Sequence, residues 1–173
     1  MQAVGPTMMS PSNFMRFPWM EQALEEYGVK ELPGNAHNPR IVEYFSTMKT
    51  KWQFQNDESE WCSAFINWVM EQNSIPGTDK PTARSWLKWG NPLPDDAPMY
   101  GAVTILWRGS RRGWQGHVAF FVGVDGNDII LLGGNQRGDE GGPSNQVSIR
   151  AYPKRRLLGF RWPTAYSREI VCR

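Results

Sequence analysis

The spacing of apolar residues changes its period near the middle of the chain, and this change limits the folds available. Up to about residue 90, apolar residues recur every three or four positions, as on one face of a helix. Beyond about residue 100 they form short runs typical of strands. Helices followed by antiparallel strands predict an α+β fold, with N-terminal helices packed on a C-terminal antiparallel sheet or partial barrel.

Start and stop signals predict four helices in the first half. Pro18 and the pair Asn38-Pro39 place a proline in the first turn of two of them, and Asn38 is a cap residue. A third helix is predicted from Cys62 to Met70, after an acidic stretch. A short fourth one over residues 83–89 ends at the turn that follows it.

Strands are predicted at residues 102–107, 118–124, 129–132, 146–152 and 157–162. Asp125-Gly126 favours a hairpin between the second and third of them. No repeat or internal linker divides the helices from the strands, so residues 17–173 are predicted to form a single domain. Residues 1–16 are predicted to form a flexible N-terminal arm.

The charge balance and the apolar runs point away from nucleic acid and membranes as partners. The 19 Lys+Arg and 17 Asp+Glu residues give a net charge of +2, too small for a dominant basic field. No apolar stretch approaches the roughly 18 residues of a membrane helix. No basic segment followed by an apolar one is visible at the start. We therefore expect a soluble monomer that is made in the cytoplasm without a signal peptide.

Cys62 is the first candidate for chemistry. It lies at the start of a predicted helix, where free N–H groups and the positive end of the helix dipole favour a thiolate. The alternative is a buried core cysteine packed between Trp61 and Phe65. The other cysteine, Cys172, is expected to be a free thiol near the chain end, because a disulfide with Cys62 would silence the nucleophile.

Together with Cys62 as the nucleophile, His117 as the base and Asn135 as the orienting group form a candidate catalytic triad. A thiol nucleophile needs a partner that titrates near neutrality, and His117 opens a predicted strand. Asn135 follows the next strand and returns to the same end of the sheet, where it can accept the other ring N–H. A structural histidine and a flexible turn at 133–136 are the alternatives. Gln136 could orient the ring instead, but strand alternation points it to the opposite face.

The sequence lacks the ligand pattern of a zinc hydrolase. The chain has two histidines and two widely separated cysteines, and no His-Glu-x-x-His pattern. We therefore expect no metal and no cofactor.

Several short segments together resemble the NlpC-type and CHAP-type cell-wall cysteine peptidases and amidases, above all a subgroup of phage lysins and cell-wall-degrading toxins. The central ones are Asp57-Glu58 shortly before Trp61-Cys62-Ser63-Ala64-Phe65, then Gly101-Ala102-Val103, Gly116-His117-Val118-Ala119-Phe120 and Leu132-Gly133-Gly134-Asn135-Gln136. Residues 18–23 and 159–163 extend the likeness to about residues 18–163. The resemblance implies a papain-like fold, and the order of cysteine, histidine and a polar residue is that of the family.

The resemblance also implies a reaction. The Cys62 thiolate would attack a peptide or amide carbonyl of peptidoglycan stem peptides, His117 would protonate the leaving amine, and Asn135 would hold the ring. The oxyanion would lie near the backbone N–H of Cys62, with Gln136 and Trp61 adjoining it. Many NlpC-type enzymes have a second histidine as the orienting residue. Asn135 resembles papain and some CHAP members instead, and both an endopeptidase and an N-acetylmuramoyl-L-alanine amidase stay open.

Two loops are predicted to shape the substrate groove. The basic loop 108–114 contributes Arg112 and Trp114, and the Gly-rich segment 133–144 contributes Gly134. Stem peptides carry carboxylates that arginine binds well, although ordinary solvated loops would have the same composition. We expect action on the bacterial cell wall in the periplasm after holin-type or secretion-system-type delivery. An immunity protein would cover the cleft if the protein is a secreted effector.

Two other classes of function stay open. A glycan-cleaving lysin would use paired carboxylates, for which Asp57 and Glu60 are the candidates. A non-catalytic wall-binding or nucleic-acid-binding module would use tryptophans together with the basic residues Arg108, Arg111, Arg112 and Lys154-Arg155-Arg156.

Overall fold

A computed structural model describes residues 17–34, 36–49, 60–138 and 145–166. The predicted N-terminal arm, Asp57 with Glu58, residues 139–144 of the Gly-rich segment and Cys172 lie outside the described residues.

Within the described residues, three α-helices and several 3₁₀ turns form the helical part. The helices are α1 (Pro18–Glu25), α2 (Pro39–Tyr44) and α3 (Cys62–Gln72), and the 3₁₀ segments are Phe45–Thr47, Ala83–Lys88 and Lys154–Arg156. The start signals are confirmed: both predicted prolines lie in first turns, and the Asn38 side chain accepts the backbone N–H of Arg40 at 2.9 Å. The predicted fourth helix is a 3₁₀ helix instead.

The strands form one antiparallel sheet in the order β1-β6-β2-β3-β4-β5. Their bounds are β1 Asn91–Leu93, β2 Val103–Trp107, β3 Gly116–Asp125, β4 Asp128–Arg137, β5 Asn145–Pro153 and β6 Leu157–Trp162. The α+β class with helices packed on an antiparallel sheet is confirmed. The structure adds β1, for which no strand was predicted. Pro92 is compatible with this strand because β1 is at the edge of the sheet and pairs only with β6.

Two adjacent glycines of β4 allow close packing around the start of α3 and β3. A Cβ atom on Gly134 would come within 2.5 Å of the Trp61 ring and 2.9 Å of the Phe65 Cβ. One on Gly133 would come within 2.6 Å of the Ala119 Cβ. The alternative of a flexible turn at 133–136 is wrong, since both glycines lie within β4. The missing side chain of Gly134 allows close packing between the start of α3 and the sheet, and that of Gly133 allows close approach to Ala119 of β3.

Buried aromatic rings fasten α1 to the sheet. Trp19 packs edge-on against Trp162 of β6, and its Nε1 donates to the Gly101 carbonyl at 2.9 Å. Both rings are almost completely buried. Within the described residues, no helix has both the length and the apolar character needed to span a bilayer.

A buried carboxylate joins α1 to α2. Glu26 accepts two hydrogen bonds from the Arg40 guanidinium, at 2.7 and 2.9 Å, and one from the Tyr44 hydroxyl at 2.7 Å. Burial raises the pKa of Glu26, but the hydrogen bonds from Arg40 and Tyr44 outweigh it, so its pKa lies below the ordinary value. The Tyr44 ring in turn packs against Trp61 at the start of α3. This chain of contacts supports the helix end on which Cys62 lies.

Candidate active site

Cys62 is the first residue of α3 and lies where that helix meets β3. Its side chain is buried, with the residue only 4% exposed. The backbone N–H groups of Val118 and Ser63 donate hydrogen bonds to its sulfur. Because Val118 directly follows His117 in β3, the sulfur is held beside the strand that carries the histidine.

The ionisation of Cys62 differs from the sequence-based expectation. Burial raises the pKa of the thiol to about 11, and the nearby Glu60 carboxylate adds to this effect. The N–H of Val118 acts in the opposite direction but is outweighed. The direction of this net effect is opposite to the thiolate that the helix start predicts.

His117 is the second residue of β3 and is 6% exposed. Its Nε2 lies 2.8 Å from the Gln136 Oε1. The Gln136 amide nitrogen donates to the Ser148 carbonyl at 2.7 Å, which fixes the amide with its oxygen toward the ring. Nε2 must then carry the ring proton, so that Nδ1 has the free lone pair in the neutral ring. Burial lowers the pKa of His117 to about 4, although the bond to Gln136 acts against this.

The contact to the ring that was predicted for Asn135 is made by Gln136. Asn135 has φ +58°, and the pairing of β4 with β5 shifts register between Gly133 and Gln136. Such an irregularity breaks the alternation of side chains along a strand. Gln136 therefore reaches the ring, while the Asn135 Oδ1 accepts from the Asn145 amide at 3.0 Å. The signal in the sequence was the pair of glycines, which inside a strand indicates a bulge.

Tyr152 of β5 is a member of this cluster that sequence reasoning missed. Its hydroxyl donates to the Gln136 Oε1 at 3.1 Å and lies 3.4 Å from the His117 Nε2. The tyrosine and imidazole rings are 5.3 Å apart and inclined by 32°. Burial raises the pKa of Tyr152, so the hydroxyl stays a hydrogen-bond donor. No local motif marks this residue, because it is 35 positions from the histidine and only the sheet brings the two together.

Trp61 and Gly134 form packing contacts in the described structure. The Trp61 indole is fully buried, and its Nε1 donates to the Glu31 carboxylate at 2.9 Å. Gly134 lies directly under this ring. The structure thus places Gly134 beneath α3 rather than along an open groove, where the sequence had put it.

Arg84 binds the backbone of the basic loop before β3. Arg84 donates to the Gln115 carbonyl from Nε at 2.9 Å, and from its other nitrogens to the carbonyls of Arg111 and Ser110 at 3.0 Å. Arg112 is exposed on this loop, and Trp114 is 74% exposed. These contacts fix the backbone of a loop that projects a tryptophan into solvent.

Glu60 is engaged in an ion pair with Arg108. Its carboxylate is one of the two that the glycan-cleaving alternative requires, and the other, Asp57, lies outside the described residues. Among the described residues there is no group of three or more His, Cys, Asp or Glu side chains that could hold a metal ion.

Comparison with known proteins gives one family match. Residues 54–135, just under half of the chain, match the sequence profile of the CHAP domain. This segment contains Cys62, His117 and Asn135. No curated protein matches.

Two solved structures are similar to this chain. One is a protein similar to lipoprotein, of the NLP/P60 family, from Staphylococcus aureus subsp. aureus Mu50, at 14% identity and a TM-score of 0.48. That alignment covers 92% of this chain and 44% of the staphylococcal one. The other is the wild-type endolysin LysIME-EF1, at 13% identity and a TM-score of 0.45, covering 76% of this chain and 66% of the endolysin. The chain therefore spans less than two thirds of the length of either structure.

The profile match falls on the segments that carried the resemblance in the sequence, and it includes the cysteine at the start of α3 and the histidine at the start of β3. The likeness of this chain to the CHAP-type cell-wall peptidases is thereby confirmed.

Proposed function

We propose that this protein is a peptidoglycan hydrolase that cleaves a peptide or amide bond of the stem peptides through the Cys62 thiol. The observation that carries the proposal is the hydrogen bond between the His117 Nε2 and Gln136 Oε1. It leaves Nδ1 as the basic nitrogen of a ring on β3, and the next residue of that strand, Val118, donates its N–H to the Cys62 sulfur. The CHAP profile match supports cell-wall peptides as the substrate.

The first half of the reaction begins with a neutral thiol and a neutral imidazole. His117 removes the thiol proton as the sulfur attacks the carbonyl carbon, and the carbonyl π electrons move to the oxygen. The backbone N–H of Cys62, at the start of α3, is the donor proposed for this oxyanion. The imidazolium then gives its proton to the leaving nitrogen as the C–N bond breaks, leaving a thioester on Cys62.

The second half releases the product. A water molecule attacks the thioester carbon while His117 takes one of its protons. The imidazolium then returns that proton to the sulfur as the C–S bond breaks, which restores the thiol and the neutral ring. Gln136 has the orienting role in place of Asn135: its oxygen keeps the ring proton on Nε2 and faces the imidazolium when it forms. Because neither thiolate nor imidazolium is the resting species, the proton moves during attack.

Tyr152 is proposed as a positioning residue that acts through Gln136. Its hydroxyl shares the Gln136 Oε1 with the imidazole ring, so it restricts where that oxygen lies. Tyr152→Phe is expected to lower kcat severalfold and leave KM within twofold. The Nε2–H proton resonance of His117 should shift in the same variant. An unchanged resonance together with unchanged kcat would show that the hydroxyl is not coupled to the ring.

The test of the function uses purified sacculi and the Cys62→Ala variant. Wild-type protein should release new amino groups, and mass spectrometry of the muropeptides should show which of the two bonds is cut. Cys62→Ala should release none while it keeps the wild-type circular dichroism spectrum, and Cys172→Ser serves as the matched cysteine control with full activity. New reducing ends in place of amino groups would instead establish glycan cleavage, and equal amine release by Cys62→Ala would refute the thiol mechanism.

Action on the cell wall after holin-type or secretion-system-type delivery is part of the same proposal. An immunity protein that covers the cleft is proposed for the secreted-effector case. Both follow from the chemistry of a wall-degrading enzyme and depend on the test above.

A further inference from the structure

A groove of about 540 Å³ lies between the 77–89 segment and the tip of the basic loop. Two indole rings contribute to it, those of Trp89 and Trp114, together with the side chains of Lys80, Lys88 and Ser85. Neither Cys62 nor His117 lines it. The groove is therefore a separate depression on the surface.

Two contacts connect this groove to the proposed catalytic residues. The Ser63 hydroxyl, next to Cys62 in the chain, donates to the Lys80 carbonyl at 2.7 Å. On the other side, Gly116, next to His117, packs against the Arg84 side chain, where an added Cβ would be 3.3 Å from the Arg84 Cγ. One wall of the groove thus adjoins the residue beside the nucleophile, and another adjoins the residue beside the base.

The residues that line the groove include three basic side chains and no Asp or Glu. Lys80 and Lys88 have no ion-pair partner among the residues that the structure describes, and Arg84 is bonded to backbone carbonyls rather than to a carboxylate. Ammonium groups beside a part-apolar surface favour ligands that carry carboxylates. The ligand charge that this groove fits is negative.

The two indoles indicate that the ligand also carries apolar groups. The Trp89 Nε1 donates to the Pro76 carbonyl at 2.8 Å, which fixes the ring, and Trp114 extends from the loop that Arg84 holds. Trp89 is half-buried and packs on Trp86, while Trp114 is exposed. Indoles with free surface bury aliphatic or planar groups of a ligand at low cost in conformational entropy. An acidic peptide with an aliphatic side chain combines both requirements.

We propose that this groove binds the carboxylate-bearing stem peptide of the substrate, with carboxylates at Lys80 and Lys88 and aliphatic portions between Trp89 and Trp114. The proposal rests on the proposed function for its substrate class. In it, Arg84 is a positioning residue that holds Trp114 over the groove. The peptide would then extend from the groove toward the sulfur, with the scissile carbonyl beyond its end.

The binding test uses the inactive Cys62→Ala protein, so that it does not depend on turnover. The probe is the tetrapeptide N-acetyl-L-Ala-γ-D-Glu-Nε-acetyl-L-Lys-D-Ala, which carries two carboxylates and no amine, compared with the same peptide in which the carboxylates are amidated. Isothermal titration measures Kd for the parent and for a Lys80→Gln/Lys88→Gln double variant. The matched control is Lys30→Gln/Lys154→Gln, which removes the same charge outside the groove.

The double variant in the groove should weaken binding of the acidic peptide about tenfold, as expected for two partly solvated ion pairs. The control should stay within twofold, and the amidated peptide should bind the parent about tenfold more weakly than the acidic one. Trp114→Ala should weaken both peptides. Equal Kd for the groove variant and the control, or equal binding of the two peptides, would overturn the proposal. Tighter binding of uncharged chitotetraose than of the acidic peptide would overturn it in favour of a glycan groove.

The outcome for the groove is separable from that for the proposed function. With otherwise wild-type protein and sacculi, the groove variants should raise KM and leave kcat within twofold. Amine release with an unaltered KM in the groove variants would refute the groove alone. Absence of amine release from wild-type protein, with lysine-dependent binding of the peptide, would refute the hydrolase and leave the groove as a peptide site.

Discussion

The buried neutral imidazole of His117 should make the stability of the fold depend on pH in a defined direction. Burial lowers the pKa of the ring to about 4 from an ordinary value of 6.5. The unfolded chain therefore binds a proton at this residue more readily than the folded chain does. The stabilisation is complete above about pH 6.5 and is lost as the pH falls through about 4.

The size of this effect follows from the difference between the two pKa values. A shift of about 2.5 units corresponds to about 3 kcal/mol in the free energy of unfolding, to order of magnitude. Other groups titrate over the same range, so the quantity to measure is the difference between wild type and His117→Gln. Urea unfolding at about pH 7, 5.5 and 4 should show wild type losing about 3 kcal/mol more than the variant.

A direct titration of the ring supplies a second readout. His37→Gln leaves His117 as the single histidine, and its ring resonances can then be followed by NMR from pH 8 to pH 3. The midpoint is expected near 4. A midpoint at or above 6.5, or the same pH dependence of unfolding in wild type and His117→Gln, would refute a neutral resting pair and favour a thiolate and imidazolium instead.

Three further predictions test the packing and the site. Gln136→Ala should lower kcat tenfold or more on sacculi with small change in KM, whereas Asn135→Ala should keep most of the activity; the reverse ranking would restore Asn135 as the orienting residue. Gly134→Ala should lower the free energy of unfolding by about 1–3 kcal/mol in urea titrations, because its Cβ would overlap the ring above it. Gly123→Ala, where the Cβ meets open space, is the matched control, and equal losses in both would contradict the close-packing argument. In a Cys172→Ser variant, iodoacetamide should alkylate Cys62 at a rate that rises about tenfold per pH unit up to about pH 11, because burial raises the pKa of the thiol. A rate that stops rising by pH 8 would contradict this raised pKa.

The sequence pattern predicted the structure correctly where residues close together in the chain decide it, as at helix starts and tight turns. The cap and proline at Asn38-Pro39 start α2, and the turn at Asp125-Gly126 joins β3 to β4, as predicted. Each of these depends on residues within a few positions of one another. The same holds for the order of cysteine and histidine on a helix start and a strand start.

The sequence pattern did not predict contacts between segments that are far apart in the chain. The ring contact was predicted for Asn135 because an unbroken strand alternates its side chains, and the irregularity after Gly133 transfers that contact to Gln136. Tyr152 joins the cluster from another strand, and no spacing along the chain indicates this. The thiol was predicted to ionise from its place at a helix end, but the burial that raises its pKa exists only in the packed protein.

Periodicity, capping and residue chemistry are local properties, so they were enough to predict the class of fold and to single out the two side chains proposed to react. Only the tertiary structure decided which amide faces the imidazole, which protonation state the pair adopts, and where a basic groove opens beside it. Those three features depend on the register of β4, on desolvation between α3 and β3, and on the loop that Arg84 holds. All three arise from contacts between residues far apart in the chain.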